Sequence, residues 1–105
     1  MLLLVVCWRG EKHGFFGLSE PSGGSDPARA IRTKAVRDGD DWIINGSKMW
    51  ISGADNADFG VIFVRTGEGR GGITAFIIDA DTPGFQVRRV IHTLRSAHYA
   101  TELTF

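Results

Sequence analysis

Phe59-Gly60-Val61-Ile62-Phe63-Val64-Arg65-Thr66, then a glycine-rich segment, then Ile73-Thr74-Ala75-Phe76-Ile77-Ile78-Asp79 decide the fold class. Each apolar run has strand length and is bounded by turn residues, and the first is apolar enough for partial burial on both faces. Two such runs joined by a short glycine loop read as an antiparallel hairpin. The joining segment, Gly67-Glu68-Gly69-Arg70-Gly71-Gly72, formally matches G-x-G-x-x-G. A dinucleotide fingerprint must open a helix within a βαβ unit, and this one opens a strand, so the nucleotide reading is set aside.

The pattern continues outward from that hairpin. Upstream, residues 31–37 carry β-branched residues in partial alternation, followed by Asp38-Gly39-Asp40 and then Trp42-Ile43-Ile44. Asp-Gly between two such runs is a hairpin signal. Asn45-Gly46 supplies another turn. With Ser47 it also fits a glycosylation sequon, but nothing else in the chain indicates secretion. A short strand over 48–52 and a loop over 53–58 follow. Downstream, Asp81-Thr82-Pro83-Gly84 turns the chain, with Pro83 fixing φ, and residues 85–91 and 102–105 complete the strand set. Near the start, Phe15-Phe16-Gly17-Leu18 reads as a strand. Asp26-Pro27-Ala28-Arg29 fits one helical turn with Asp26 as N-cap and Pro27 in the first helical position. Six to eight short strands, with turns at regular spacing and no long helix, predict an all-β barrel or sandwich.

Composition narrows the function classes. The chain has 105 residues, enough for one small domain, and 43% are hydrophobic, enough for a packed core. Twelve basic and twelve acidic residues cancel, which gives no electrostatic case for nucleic acid or for an anionic membrane. Arg88 and Arg89 are adjacent but do not make a patch. Cys7 is the one cysteine, so no intrachain disulfide and no cysteine-based metal site can form. His13, His92 and His98 are scattered, without ligand spacing. Residues 1–8 are apolar but too short to span a bilayer. They lack the basic n-region and cleavage site of a signal peptide, and are expected to form a strand or the edge of a helix belonging to a larger protein.

The stretch richest in potential chemistry is Phe16-Gly17-Leu18-Ser19-Glu20-Pro21-Ser22-Gly23-Gly24-Ser25-Asp26. Gly23 and Gly24 allow positive φ and close approach of backbone to a ligand. Ser19, Ser22 and Ser25 each offer a donor and two acceptor lone pairs. Pro21 stiffens the loop's entry. Ordinary surface turns are built from these same residue types. No serine lies in Gly-x-Ser-x-Gly, so a hydrolase nucleophile elbow is unsupported.

Phe16-Gly17-Leu18-Ser19-Glu20-Pro21 with Gly24-Ser25-Asp26, then Asn45-Gly46-Ser47-Lys48 with Trp50-Ile51-Ser52, then Asp81-Thr82-Pro83-Gly84-Phe85, closely resemble the middle domain of the acyl-CoA dehydrogenases. The three motifs stand in the family's order and near its spacing, and the resemblance covers residues 15–105. It implies a small antiparallel β-barrel over 15–105, normally set between two helical domains, with 1–14 a remnant of the preceding region. It also implies FAD as cofactor and an acyl-CoA substrate. A flavin needs hydrogen bonds at N5 and at its N1–O2 edge, where charge develops as the ring accepts a hydride. By resemblance Phe16, Leu18, Ser19, Ser25, Trp50, Ile51 and Ser52 contact the cofactor. Leu18 and Ser19 face the pyrimidine end, Ser52 lies near N5, and Ser25 also touches the thioester arm of the substrate. Many relatives have Thr at the positions of Ser19 and Ser52. Serine keeps the hydroxyl and loses the methyl that fixes its rotamer.

The resemblance places the α-proton base, a glutamate, in a helical region beyond Phe105. Neither Glu20 nor Glu102 occupies its position, so no catalytic residue is expected here, and the chain by itself is expected to be inactive. Residues 94–101 depart from the commonest family wording. A full-length relative of this kind has an electron-transfer partner, forms homo-oligomers, and is cytoplasmic or, in a eukaryote, in the mitochondrial matrix. Two other readings share these residues: a non-catalytic binding remnant of the family, and the barrel of a related flavin oxidase or monooxygenase.

Overall fold

The computed structural model describes residues 2–23, 25–92 and 100–105. The sequence readings that fall on Gly24, on His98 and on residues 94–99 lie outside the described residues. In chain order the elements are α1 (Leu2–Trp8), β1 (Gly14–Gly17), α2 (Pro27–Ala30), β2 (Lys34–Asp38), β3 (Asp41–Asn45), β4 (Ser47–Ser52), a 3-10 turn (Ala54–Asn56), β5 (Phe59–Arg65), β6 (Ile73–Asp79), β7 (Gln86–Ile91) and β8 (Ala100–Thr104). The class is all-β, as the strand pattern predicts. The apolar start is helical, yet Leu4, Val5 and Trp8 are exposed, so α1 buries no apolar stripe from these positions. A run this short, apolar without periodicity, does not distinguish strand from helix.

β5 is the hub. It pairs β6 antiparallel along its whole length, from Phe59↔Asp79 to Arg65↔Ile73. It pairs β1 in parallel from Gly14↔Phe59 to Gly17↔Ile62, and touches β2 in parallel at Lys34↔Arg65. Burial follows: Phe59, Gly60, Ile62 and Val64 are buried, and the intervening residues half-buried. β2 and β3 form the Asp-Gly hairpin, closing at Asp38↔Asp41. The second sheet runs β4-β8-β7, antiparallel throughout.

The expectation of a small antiparallel β-barrel holds in its all-β class and is corrected in two respects. Among the described residues the strands form two sheets that do not close through backbone pairing, and two of the β5 pairings are parallel. Local turn residues reveal hairpins. Parallel partners such as β1 and β5 are brought together by tertiary packing, which no local signal records.

The core lies between the sheets. Phe15, Ala35, Ile51, Ala54, Ile62, Val64 and Leu103 are buried there. Phe85 lies between two other rings, with centroids 5.6 Å from Phe15 and 5.3 Å from Phe105.

Candidate functional site

Two stretches far apart in sequence meet where β1 runs out into the serine loop beside β4. The Met49 N–H donates to the Ser19 carbonyl at 2.9 Å. Next to it the Lys48 ammonium, fully buried, makes three bonds: to the Leu18 carbonyl at 3.0 Å, the Phe63 carbonyl at 2.6 Å and Glu20 Oε2 at 2.8 Å. Glu20 also accepts from the Arg32 N–H at 2.7 Å and the Thr33 N–H at 3.1 Å. Four segments, the serine loop, the entry to β2, β4 and β5, are thus tied to one buried ion pair.

A bulge shapes the β4 wall. Lys48 pairs with Leu103 and Ile51 with Thr101, so Met49 and Trp50 lie opposite Glu102 alone. Trp50 takes φ +67°, a conformation that costs a bulky residue about 1–3 kcal/mol. The Thr101 hydroxyl, fully buried, donates to the Ile51 carbonyl at 2.6 Å and holds the chain just past the bulge. Bulges re-aim side chains in this way, and Trp50 is left 55% exposed.

These features make a cleft of about 380 Å³ lined by Phe16, Leu18, Ser19, Trp50, Ile51 and Ser52. Six of the seven residues named from the sequence as cofactor contacts therefore share one cleft. The seventh, Ser25, does not line it. Ser25 is exposed on the loop before α2, next to Asp26, whose carboxylate forms a two-pronged, exposed pair with Arg70 at 2.9 and 3.0 Å. Asp26 is the N-cap residue of α2 as expected, but makes no side-chain cap bond. Gly23 takes φ +144° and closes a turn with Glu20, its N–H donating to the Glu20 carbonyl at 3.0 Å.

The glycine-rich segment 67–72 is the loop of the β5–β6 hairpin. Arg65 grips it through the carbonyls of Gly67 and Gly69, and reaches the carbonyls of Ala28 and Ile31 on the other side. Glu102 pairs with Arg89 across β7 and β8. Among the described residues no group of histidine, cysteine, aspartate and glutamate could hold a metal ion, and no helix is long and apolar enough to cross a membrane.

The sequence reading missed Lys48, Glu20 and Thr101 as determinants of the site. Charged residues are normally solvent-facing, and only the pairing reveals the burial. Burial by itself raises the Glu20 carboxyl, but hydrogen bonds from Lys48, Thr33 and the Arg32 N–H, with the Lys48 charge, outweigh it and hold Glu20 below its ordinary value of 4.5. Burial pushes Lys48 down, and Glu20 only partly offsets this. A carboxyl lowered in the folded state contributes stability above its unfolded value, and that stability is lost as pH falls through the folded value. The urea midpoint is therefore expected to fall below about pH 4.5, and less steeply in Glu20→Gln. An unchanged acid slope in the variant would remove Glu20 from this role.

The cleft can be tested for the planar cofactor of the resemblance. Its volume lies within the roughly 300–1,000 Å³ of small-molecule sites. Two partly exposed aromatic rings, Phe16 and Trp50, offer faces for stacking. The hydroxyls of Ser19 and Ser52 make no bond to the protein among the described residues, and neither does the Ser19 N–H. An apolar cleft with a few uncommitted donors suits the ring system of a flavin.

Comparison with known proteins gives the same direction. The family model described as acyl-CoA dehydrogenase, middle domain, matches residues 15–105. The short-chain specific acyl-CoA dehydrogenase of Clostridium acetobutylicum is 44% identical over 105 residues, covering 97% of this chain and 27% of that protein. A probable acyl-CoA dehydrogenase from Mycobacterium abscessus superposes with TM-score 0.93 at 38% identity, over 97% of this chain and 27% of that one. A glutaryl-CoA dehydrogenase from Mycobacterium smegmatis, solved in complex with FADH2, superposes with TM-score 0.85 at 43% identity, over 96% of this chain and 25% of that one. The chain thus spans about a quarter of the length of these relatives.

Proposed function

The chain belongs to the acyl-CoA dehydrogenase family, and from that premise we propose that its cleft is the flavin-facing wall of an FAD-dependent acyl-CoA dehydrogenase. Residues 15–105 are the middle domain and 1–14 the end of the preceding region. The observation that carries the reading is the convergence of Phe16, Leu18 and Ser19 with Trp50, Ile51 and Ser52 on one cleft.

When bound, FAD supplies the hydride acceptor for α,β-dehydrogenation of an acyl-CoA thioester. The chain's own residues bind and orient. Trp50 and Phe16 give ring faces, the Ser19 and Ser52 hydroxyls donate hydrogen bonds, and Ile51 fixes the wall from the core. These donors gain strength where water is excluded and cost no reorganisation during reaction. Ser25 is assigned to the acyl-CoA side of the serine loop, away from the cleft lining. The α-proton base belongs to the remainder of the full-length enzyme, as do the surfaces for an electron-transfer partner and for homo-oligomer formation. The full-length enzyme works in the cytoplasm, or in the mitochondrial matrix of a eukaryote.

The test is a titration of the purified chain with FAD, followed by visible absorbance and fluorescence quenching. Saturable binding is expected, weakened roughly tenfold by Trp50→Ala and by Ser52→Ala, the loss of one stacking face or one hydrogen bond. A folded chain that binds no FAD, or binds it equally well in both variants, overturns the assignment of the cleft.

A further inference from the structure

The Leu18 carbonyl and the Ser19 N–H belong to one peptide group. Lys48 Nζ donates to that carbonyl from behind the cleft at 3.0 Å. Ser19 lines the cleft in front, and its N–H has no protein acceptor among the described residues. The next peptide is also held, since the Ser19 carbonyl accepts from the Met49 N–H at 2.9 Å. A cation buried at this place needs a reason beyond stability, because apolar residues often replace a buried ion pair with no loss or a gain.

We propose that Lys48 is a positioning residue that polarises the Leu18–Ser19 peptide, making the Ser19 N–H a stronger donor to a flavin in the cleft. A charged donor on a carbonyl draws electron density from the whole amide, and hydrogen bonds in a chain strengthen one another. Glu20, 2.8 Å from the same ammonium, pulls the other way and moderates its charge. The two members of the pair therefore act on the Ser19 N–H with opposite sign, although both hold the same structure together.

That difference in sign separates polarisation from simple support. In the ¹⁵N-labelled chain without ligand, Lys48→Met is expected to move the Ser19 amide resonance upfield. Glu20→Gln, compared with the wild type at mildly acidic pH where the Lys48 ammonium stays protonated, removes the counter-charge and is expected to move it downfield. A purely structural role moves the resonance toward the unfolded position in both variants, and that result, or no movement in either, overturns the proposal. If Lys48→Met does not fold, the sign in Glu20→Gln decides. Protonating Glu20 in the wild-type chain at acid pH imposes the same change without a substitution, and must also shift the Ser19 amide downfield.

The flavin arm rests on the reading of the cleft given above. FAD is expected to bind roughly tenfold more weakly to a folded Lys48→Met chain, and no more weakly to Glu20→Gln. Failure of the wild-type chain to bind FAD counts against the cleft assignment, and the ligand-free amide shifts still decide the polarisation.

Discussion

Lys48→Ala is expected to destabilise the chain by about 3–5 kcal/mol, the cost of leaving a buried carboxylate without its partner. Glu20 is 4% exposed and keeps only the Arg32 and Thr33 N–H groups once the ammonium is gone. The carbonyls of Leu18 and Phe63 lose their Lys48 donor in the same step. A small domain has a net stability of about 5–15 kcal/mol, so the variant is expected to sit near its unfolding midpoint in mild urea. Glu20→Gln/Lys48→Ala removes both charges and is expected to recover a substantial part of the loss, because most of the damage comes from the stranded carboxylate. Urea midpoints of the wild type, the two single variants and the double variant measure this directly. A double variant no more stable than Lys48→Ala would mean that the bonds to Leu18 and Phe63, and not the ion pair, hold the loop against β4.

The same residues show where sequence reading succeeds and where it stops. The β2–β3 and β5–β6 hairpins are legible because their signals are local, Asp38-Gly39 in one case and a glycine loop between two apolar runs in the other. The members of the cleft are legible only through the resemblance. Serines and glycines on a loop carry no mark of a ligand, and Trp50 taken alone reads as core. The bulge that turns Trp50 outward has no glycine to announce it, and its strain is held by the Thr101 bond to Ile51. The depth of Lys48 and Glu20 is hidden for a related reason. Each looks like a surface charge until the fold brings together residues 28 positions apart. The parallel pairing of β1 with β5 is hidden because residues 14–17 and 59–62 meet only through tertiary structure.

That parallel pair carries the other large effect. Phe15 and Gly60 are direct partners in the β1–β5 ladder, and the Phe15 ring lies over the glycine. A Cβ built on Gly60 would stand 2.1 Å from the ring's outermost carbon. The ring cannot simply swing aside, because Phe15 is 4% exposed and stacked on Phe85. Glycine in a strand is ordinarily a weakness, with no side chain to pack, and here the cross-strand aromatic covers it. Gly60→Ala is therefore expected to cost at least the about 1–3 kcal/mol typical of overpacking a core. Because β1 leads directly into Leu18 and Ser19, a displaced Phe15 also shifts one wall of the cleft, so FAD binding is expected to weaken along with stability. Phe15→Leu costs stability by itself through lost packing, but it opens the space that the new methyl needs. In the double variant the two losses are expected to fall short of their sum, by about 1 kcal/mol or more for residues in direct contact. Strict additivity in that cycle, read from urea midpoints, would show that the ring and the glycine do not constrain each other, and the role assigned to Gly60 would fall.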